Sequence, residues 1–110
     1  MNIKSTFSML TLMSGLIFTH LAFSEPVWID VRTVNENKAD NIAGDPLIPY
    51  QQIVEEVSLL YPDKDTEINL YCRSGNRAGI ALSALNAAGY THVQNFGSIG
   101  NARKVRAATD

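Results

Sequence analysis

Apolar and polar positions follow three different rhythms along the chain. Phe7 to Phe23 is a mostly apolar run without Asp, Glu, Lys or Arg, preceded by Lys4 and closed by Ala22-Phe23-Ser24. A basic start, an apolar stretch and small residues at the end form the pattern of a secretory signal peptide, with cleavage expected after Ser24. Ser, Thr, Gly15 and His20 interrupt the run, whereas a membrane span needs about 20 apolar residues. A cleaved leader over residues 1–24 is therefore expected rather than an anchor, and the lack of a cysteine near the cleavage point excludes a lipoprotein.

Beyond the leader the rhythm shortens. Val27-Trp28-Ile29-Asp30-Val31 and Glu67-Ile68-Asn69-Leu70-Tyr71 are rich in β-branched and aromatic residues and predict strands, as does Thr91-His92-Val93-Gln94-Asn95-Phe96. The polar segment Arg32 to Ala43 reads as loop with a short helical turn. Pro46-Leu47-Ile48-Pro49 places two apolar residues between prolines and allows at best a very short edge strand. From Tyr50 the period becomes helical, with Ile53, Val54, Val57, Leu60 and Tyr61 on one face and Gln51, Gln52, Glu55 and Glu56 on the other, until Pro62. Ala78 to Ala88 predicts a helix covered on most sides, ended by Gly89 as a left-handed cap. Asn101 to Ala108 reads as a short polar helix. Strands alternating with helices imply an α/β domain over residues 25–110, with a parallel sheet and helices on both faces.

Composition narrows the classes. The 110 residues carry 9 basic and 11 acidic side chains, and removing the leader takes Lys4, so nothing global attracts nucleic acid or an anionic membrane. Neither a nucleic acid nor a lasting membrane partner is expected, and the exported protein is read as a periplasmic monomer. The single cysteine cannot form an internal disulfide, so the fold must stand on its packed core. No cluster of His, Cys and Asp has metal-ligand spacing. His92 lies in a strand context and reads as a surface or core residue. Neither metal nor cofactor is expected.

The lone cysteine lies in Tyr71-Cys72-Arg73-Ser74-Gly75-Asn76-Arg77-Ala78, between a strand and a helix. In open parallel sheets, ligands gather beyond the carboxyl ends of the strands. A helix N terminus, inward-turned N–H groups around Gly75 and the charges of Arg73 and Arg77 would lower the thiol pKa and hold an anion. A free cysteine is more often a small buried hydrophobe, but the flanking arginines and the strand-to-helix position favour a nucleophile. Cys72 is the candidate catalytic residue, and Arg73, Ser74, Gly75, Asn76 and Arg77 are the candidate substrate-binding residues.

At these positions the chain resembles the single-domain rhodaneses (thiosulfate sulfurtransferases), in particular small exported members. Trp28-Ile29-Asp30-Val31-Arg32 with Glu36 resembles the first family motif, and Ile42, Gly44 and Pro49 resemble the second. Residues 72–78 resemble the active-site loop, and Gly89-Tyr90-Thr91-His92-Val93 with Gly97 resembles the tail pattern. The resemblance implies a three-layer domain with a central, mostly parallel sheet flanked by helices. It also implies that Cys72 takes a sulfane sulfur from thiosulfate as a persulfide and passes it to cyanide or a thiol acceptor. Arg73 and Arg77 would then hold the oxyanion end, and Asp30 with Arg32 would form a structural charge pair. Asn37 stands where an aromatic is usual, Asn41 where His is usual, and Asp45-Pro46 where Ala and a variable residue are usual. A persulfide carrier without turnover is the alternative. A tyrosine phosphatase would need Arg at 78, which is Ala, and phosphatases of the rhodanese fold or arsenate reductases fit less well because the loop is one residue shorter than the phosphate-sized form. A disulfide oxidoreductase would need a cysteine at 75, which is Gly.

Overall fold

The computed structural model describes residues 25–109, and the expected leader lies outside them. Val27–Asp30 (β1), Ile68–Cys72 (β2) and Val93–Ser98 (β3) form a parallel sheet in the order β1-β2-β3. Val34–Ala39 (α1), a 3₁₀ turn at Tyr50–Gln52 and Ile53–Leu60 (α2) connect β1 to β2. Asn76–Ala87 (α3) connects β2 to β3, and Ile99–Thr109 (α4) follows β3. The α/β class expected from the alternating pattern is the one observed.

Side-chain alternation sorts the layers. In β2, Ile68, Leu70 and Cys72 join one buried cluster with Ile53 and Val57 of α2 and Ala78, Ala81 and Leu85 of α3. Asn69 and Tyr71 point to the opposite face, where α4 buries Ala102. There the Tyr71 hydroxyl donates to Asp45 Oδ2 at 2.7 Å, and Arg106 of α4 grips the same carboxylate at 2.7 and 3.1 Å. All five β2 residues are buried, as expected of a parallel strand covered on both faces. Each large aliphatic side chain in that cluster contributes about 1.5–3 kcal/mol by leaving water.

Helices α1 and α3 differ from the sequence pattern, while the proline-bracketed segment is as short as expected. The segment after Arg32 is a full helix, α1, because Thr33 and Glu36 form a capping box. Thr33 Oγ1 accepts from Glu36 N–H at 3.2 Å, and Glu36 Oε1 accepts from Thr33 N–H at 3.1 Å. The Pro46 to Pro49 segment contributes an isolated parallel bridge between Leu47 and Asp30; its prolines lack the N–H groups a longer ladder needs. Helix α3 starts at Asn76, two residues before the expected Ala78, and is not covered on most sides: Ala78, Ala81 and Leu85 form one buried stripe while Ile80 is 48% exposed. Gly89 does take the left-handed conformation after α3, with φ 100°.

Candidate active site

Since β2 ends at Cys72 and α3 begins at Asn76, Arg73, Ser74 and Gly75 alone make the turn. Gly75 caps α3 with φ 98°, and a Cβ built there would lie 3.2 Å from Gly97 Cα. Both the backbone angle and the space therefore require glycine. A glycine cap offers no side-chain acceptor, so the first N–H groups of α3 keep their hydrogen-bonding capacity for something else.

That acceptor is the Cys72 sulfur. Gly75 N–H donates to Sγ at 3.0 Å, and the neighbouring amides of Ala78, Ser74 and Arg77 favour the thiolate as well. Burial pushes the thiol pKa up, but these four donors stabilise the thiolate and hold the pKa below its ordinary value. The partial positive charge of the α3 N terminus acts in the same sense. Cys72 is 0% exposed, so the sulfur lies under the turn rather than on the surface. Ala78, expected as the start of the helix and the last residue of the loop resemblance but not as a binding residue, contributes its amide to the cradle. The signal for it was available, because the third residue of any helix has an N–H without an intrahelical partner.

The side chains around the cradle divide unevenly. Both loop arginines were expected to face an anion as open charges. Instead, Arg77 forms a forked pair with Glu36 at 2.7 and 2.9 Å, tying α1 to the first turn of α3. Arg73, Ser74 and Asn76 are exposed, and among the described residues the Arg73 side chain makes no hydrogen bond or ion pair. Arg77, aided by the Thr33 N–H, holds the Glu36 carboxyl down at about 2. A lowered folded pKa stabilises above the unfolded value of 4.5 and is lost as pH falls toward 2. The stability gap between wild type and Glu36→Gln should therefore be constant near neutrality and shrink between about pH 5 and 2, read by thermal unfolding. The pair is partly exposed, so the gap should stay below about 1 kcal/mol.

Behind the loop, Asp30 is 0% exposed and Arg32 5% exposed. Asp30 Oδ1 accepts from Arg32 N–H at 3.0 Å and from Nε at 2.9 Å, while Oδ2 accepts from Arg32 Nη2 at 2.8 Å. Asp30 pairs in register with Tyr71, the residue before Cys72. A cavity of 590 Å³ lies elsewhere, lined by Trp28, Asp45, Tyr61 and Arg106 among others and by no residue of the 72–78 stretch.

The family described as Rhodanese-like domain matches residues 19–99. The chain belongs to the rhodanese family. It is 36% identical over 90 residues to the thiosulfate sulfurtransferase PspE of Escherichia coli (strain K12), covering 77% of this chain and 86% of that protein. Among solved structures it is similar to a rhodanese with anions from E. coli, with TM-score 0.66 and 32% identity over 70% of this chain and 91% of the other. The human single domain sulfurtransferase TSTD1 shares the fold at TM-score 0.62 and 22% identity, covering 86% of this chain and 92% of that one.

Within this rhodanese frame, the departures noted in the sequence acquire partners. Asn37 Nδ2 donates to Asp30 Oδ2 at 3.0 Å, and Asn41 Nδ2 donates to the Asn37 carbonyl at 2.9 Å. The Asn41 carbonyl in turn accepts from Arg103 at 3.1 Å. Asp45 is the carboxylate shared by Tyr71 and Arg106. These residues knit the rhodanese sheet to α1 and α4. No helix among the described residues is long and apolar enough to cross a membrane.

Proposed function

We propose that this rhodanese-family chain is a thiosulfate sulfurtransferase, with Cys72 as its nucleophile and an exported, periplasmic site of action. The observation that carries the proposal is the seating of the sole cysteine's sulfur at the N terminus of α3, where Gly75 N–H donates to it at 3.0 Å. Such a cradle stabilises a thiolate before reaction and an anionic persulfide after it. The similarity to the E. coli thiosulfate sulfurtransferase points the same way, and the apolar run before Ser24 supports export.

In the first half-reaction the Cys72 thiolate attacks the outer sulfur of thiosulfate. The Sγ–S bond forms, the S–S bond of thiosulfate breaks, and sulfite leaves with the electron pair. In the second, cyanide or a thiolate attacks the outer sulfur of the persulfide, and Sγ leaves as the thiolate. This is covalent catalysis in two steps, with the same group alternately nucleophile and leaving group. Exposed Arg73 is suited to draw in the sulfonate end, while Arg77, neutralised by Glu36, acts chiefly through its backbone N–H. Because Sγ is covered, attack requires the short Arg73 to Gly75 turn to give way, which favours a compact donor.

Incubation with thiosulfate should add the mass of one sulfur atom to Cys72, and cyanide should then remove it as thiocyanate. Absence of the adduct in the wild-type protein would sink the sulfur reading. An adduct that cyanide fails to clear would identify a carrier without turnover.

A further inference from the structure

The Cys72 cradle is held from the outside by a side chain that lies twenty residues away from the loop in sequence. Asn95 on β3 donates its Nδ2 to the Gly75 carbonyl at 2.9 Å, and its Oδ1 accepts from the Gly97 N–H at 2.8 Å. The second bond closes an Asx turn within β3. The first reaches across to the glycine whose own N–H lies 3.0 Å from Sγ.

The β3 backbone is shaped for this contact. Leu70 pairs with Asn95 and Cys72 with Ser98, so β3 uses one residue more than β2 over the same length. A bulge of this kind re-aims the chain locally. Here it brings Gly97, at φ 79°, against Gly75, where even one Cβ would come within 3.2 Å of Gly97 Cα. Asn95 lies on the α3 face of the sheet, with Nδ2 3.5 Å from where a Cβ on Gly79 would stand. The Gly75 carbonyl also receives the first helical bond, from Gly79 N–H at 2.9 Å. Its two acceptor sites are thus filled by one donor along the helix and one across from the sheet. Together they fix the carbonyl in two directions, and with it the tilt of the glycine whose N–H faces the sulfur.

We infer that Asn95 is a positioning residue for the sulfur cradle: by bridging the β3 bulge to the Gly75 carbonyl it holds the left-handed cap in the orientation that presents its N–H to Cys72 Sγ. This rests on the proposed role of Cys72 as the reacting thiolate. The amide is specific for the task, because one end must accept from Gly97 and the other must donate to Gly75. Aspartate keeps the acceptor and the shape but sets a carboxylate oxygen against the Gly75 carbonyl. Alanine removes both bonds without adding charge.

The test is the titration of Cys72 in full-length wild type, Asn95→Ala and Asn95→Asp, by thiolate absorbance and by the pH dependence of alkylation with iodoacetamide. With one cysteine in the chain, every thiol signal reports position 72. Both variants should titrate about one pH unit higher than wild type, a roughly tenfold smaller thiolate fraction near neutrality. With thiosulfate, the loss should fall on the rate of persulfide formation more than on KM, since Asn95 is placed to touch the loop and not the donor. A folded Asn95→Ala with an unchanged Cys72 titration would overturn the inference. So would a rise confined to Asn95→Asp, which would report its added charge alone. Alkylation needs no sulfur donor, so a wild-type protein inert to thiosulfate would refute the sulfurtransferase reading and leave the titration result standing.

Discussion

Cys72→Ser is expected to abolish thiocyanate formation from thiosulfate and cyanide, lowering the rate by at least about a thousandfold while the domain stays folded. The substitution changes one atom at a site where the shape is fixed by its surroundings. Serine can receive the same Gly75 N–H that donates to Sγ, so the cradle loses little of its hydrogen bonding. What disappears is a polarisable atom that ionises within reach of neutral pH. The wild-type thiol is held below its ordinary value of 9.0 by the four amides working against burial. Sulfur loading should therefore rise with pH through a midpoint below 9.0, and that limb should vanish in the variant. Thermal unfolding within a few degrees of wild type would confirm that the loss is chemical. Residual transfer at a tenth of the wild-type rate would place the nucleophile elsewhere.

Much of this frame was legible along the chain, since apolar period separates the three strands from α2 and a run of helix formers marks α3. What escaped the pattern was local and polar. The α1 helix hides in a stretch of Asn, Glu, Lys and Asp with no buried residue, so hydrophobic period could not reveal it. Its signal was the spacing of Thr33 and Glu36, which a capping-box reading recovers. The early start of α3 was masked by Gly75, since a glycine in the left-handed region is a common helix end and a less common helix beginning. This shift left Asn76 and Arg77 in the loop with Ala78 as the first helical residue, so of the cradle's amides only that of Ala78 was missed. The Glu36–Arg77 fork and the Asn95 clamp join residues 41 and 20 positions apart, and no local rule predicts such pairings. Strand order and register create them: β2 flanked by β1 and β3 brings the β1–α1 turn and the β3 bulge to the same end of the sheet as Cys72. The loop motif thus pointed to Cys72, the proposed reacting residue, while its supports became visible after folding.

Among those supports, loss of Arg32 should have the largest effect on stability. Arg32→Ala is expected to cost about 3–5 kcal/mol, because it strands the Asp30 carboxylate at 0% exposure without its cation. In the wild type that carboxylate accepts four hydrogen bonds, three from Arg32 and one from Asn37. Removing the side chain eliminates the Nε and Nη2 donors and leaves the Arg32 backbone N–H and Asn37, too few to replace hydration of a charge. The bond from Arg32 Nη2 to the Asp40 carbonyl at 2.7 Å is lost as well, freeing the end of α1. A small domain has on the order of 5–15 kcal/mol in total, so the melting temperature should fall by roughly 15–30 °C. The double variant Asp30→Ala with Arg32→Ala removes the stranded charge along with its partner. It should therefore be more stable than Arg32→Ala alone, a non-additivity that unfolding of the four proteins in a double-mutant cycle measures directly. At low temperature, folded Arg32→Ala should still load sulfur on Cys72 at close to the wild-type rate, since the pair touches the sheet beneath the loop and not the sulfur. If the double variant were the less stable of the two, the pair would be acting through packing rather than through charge.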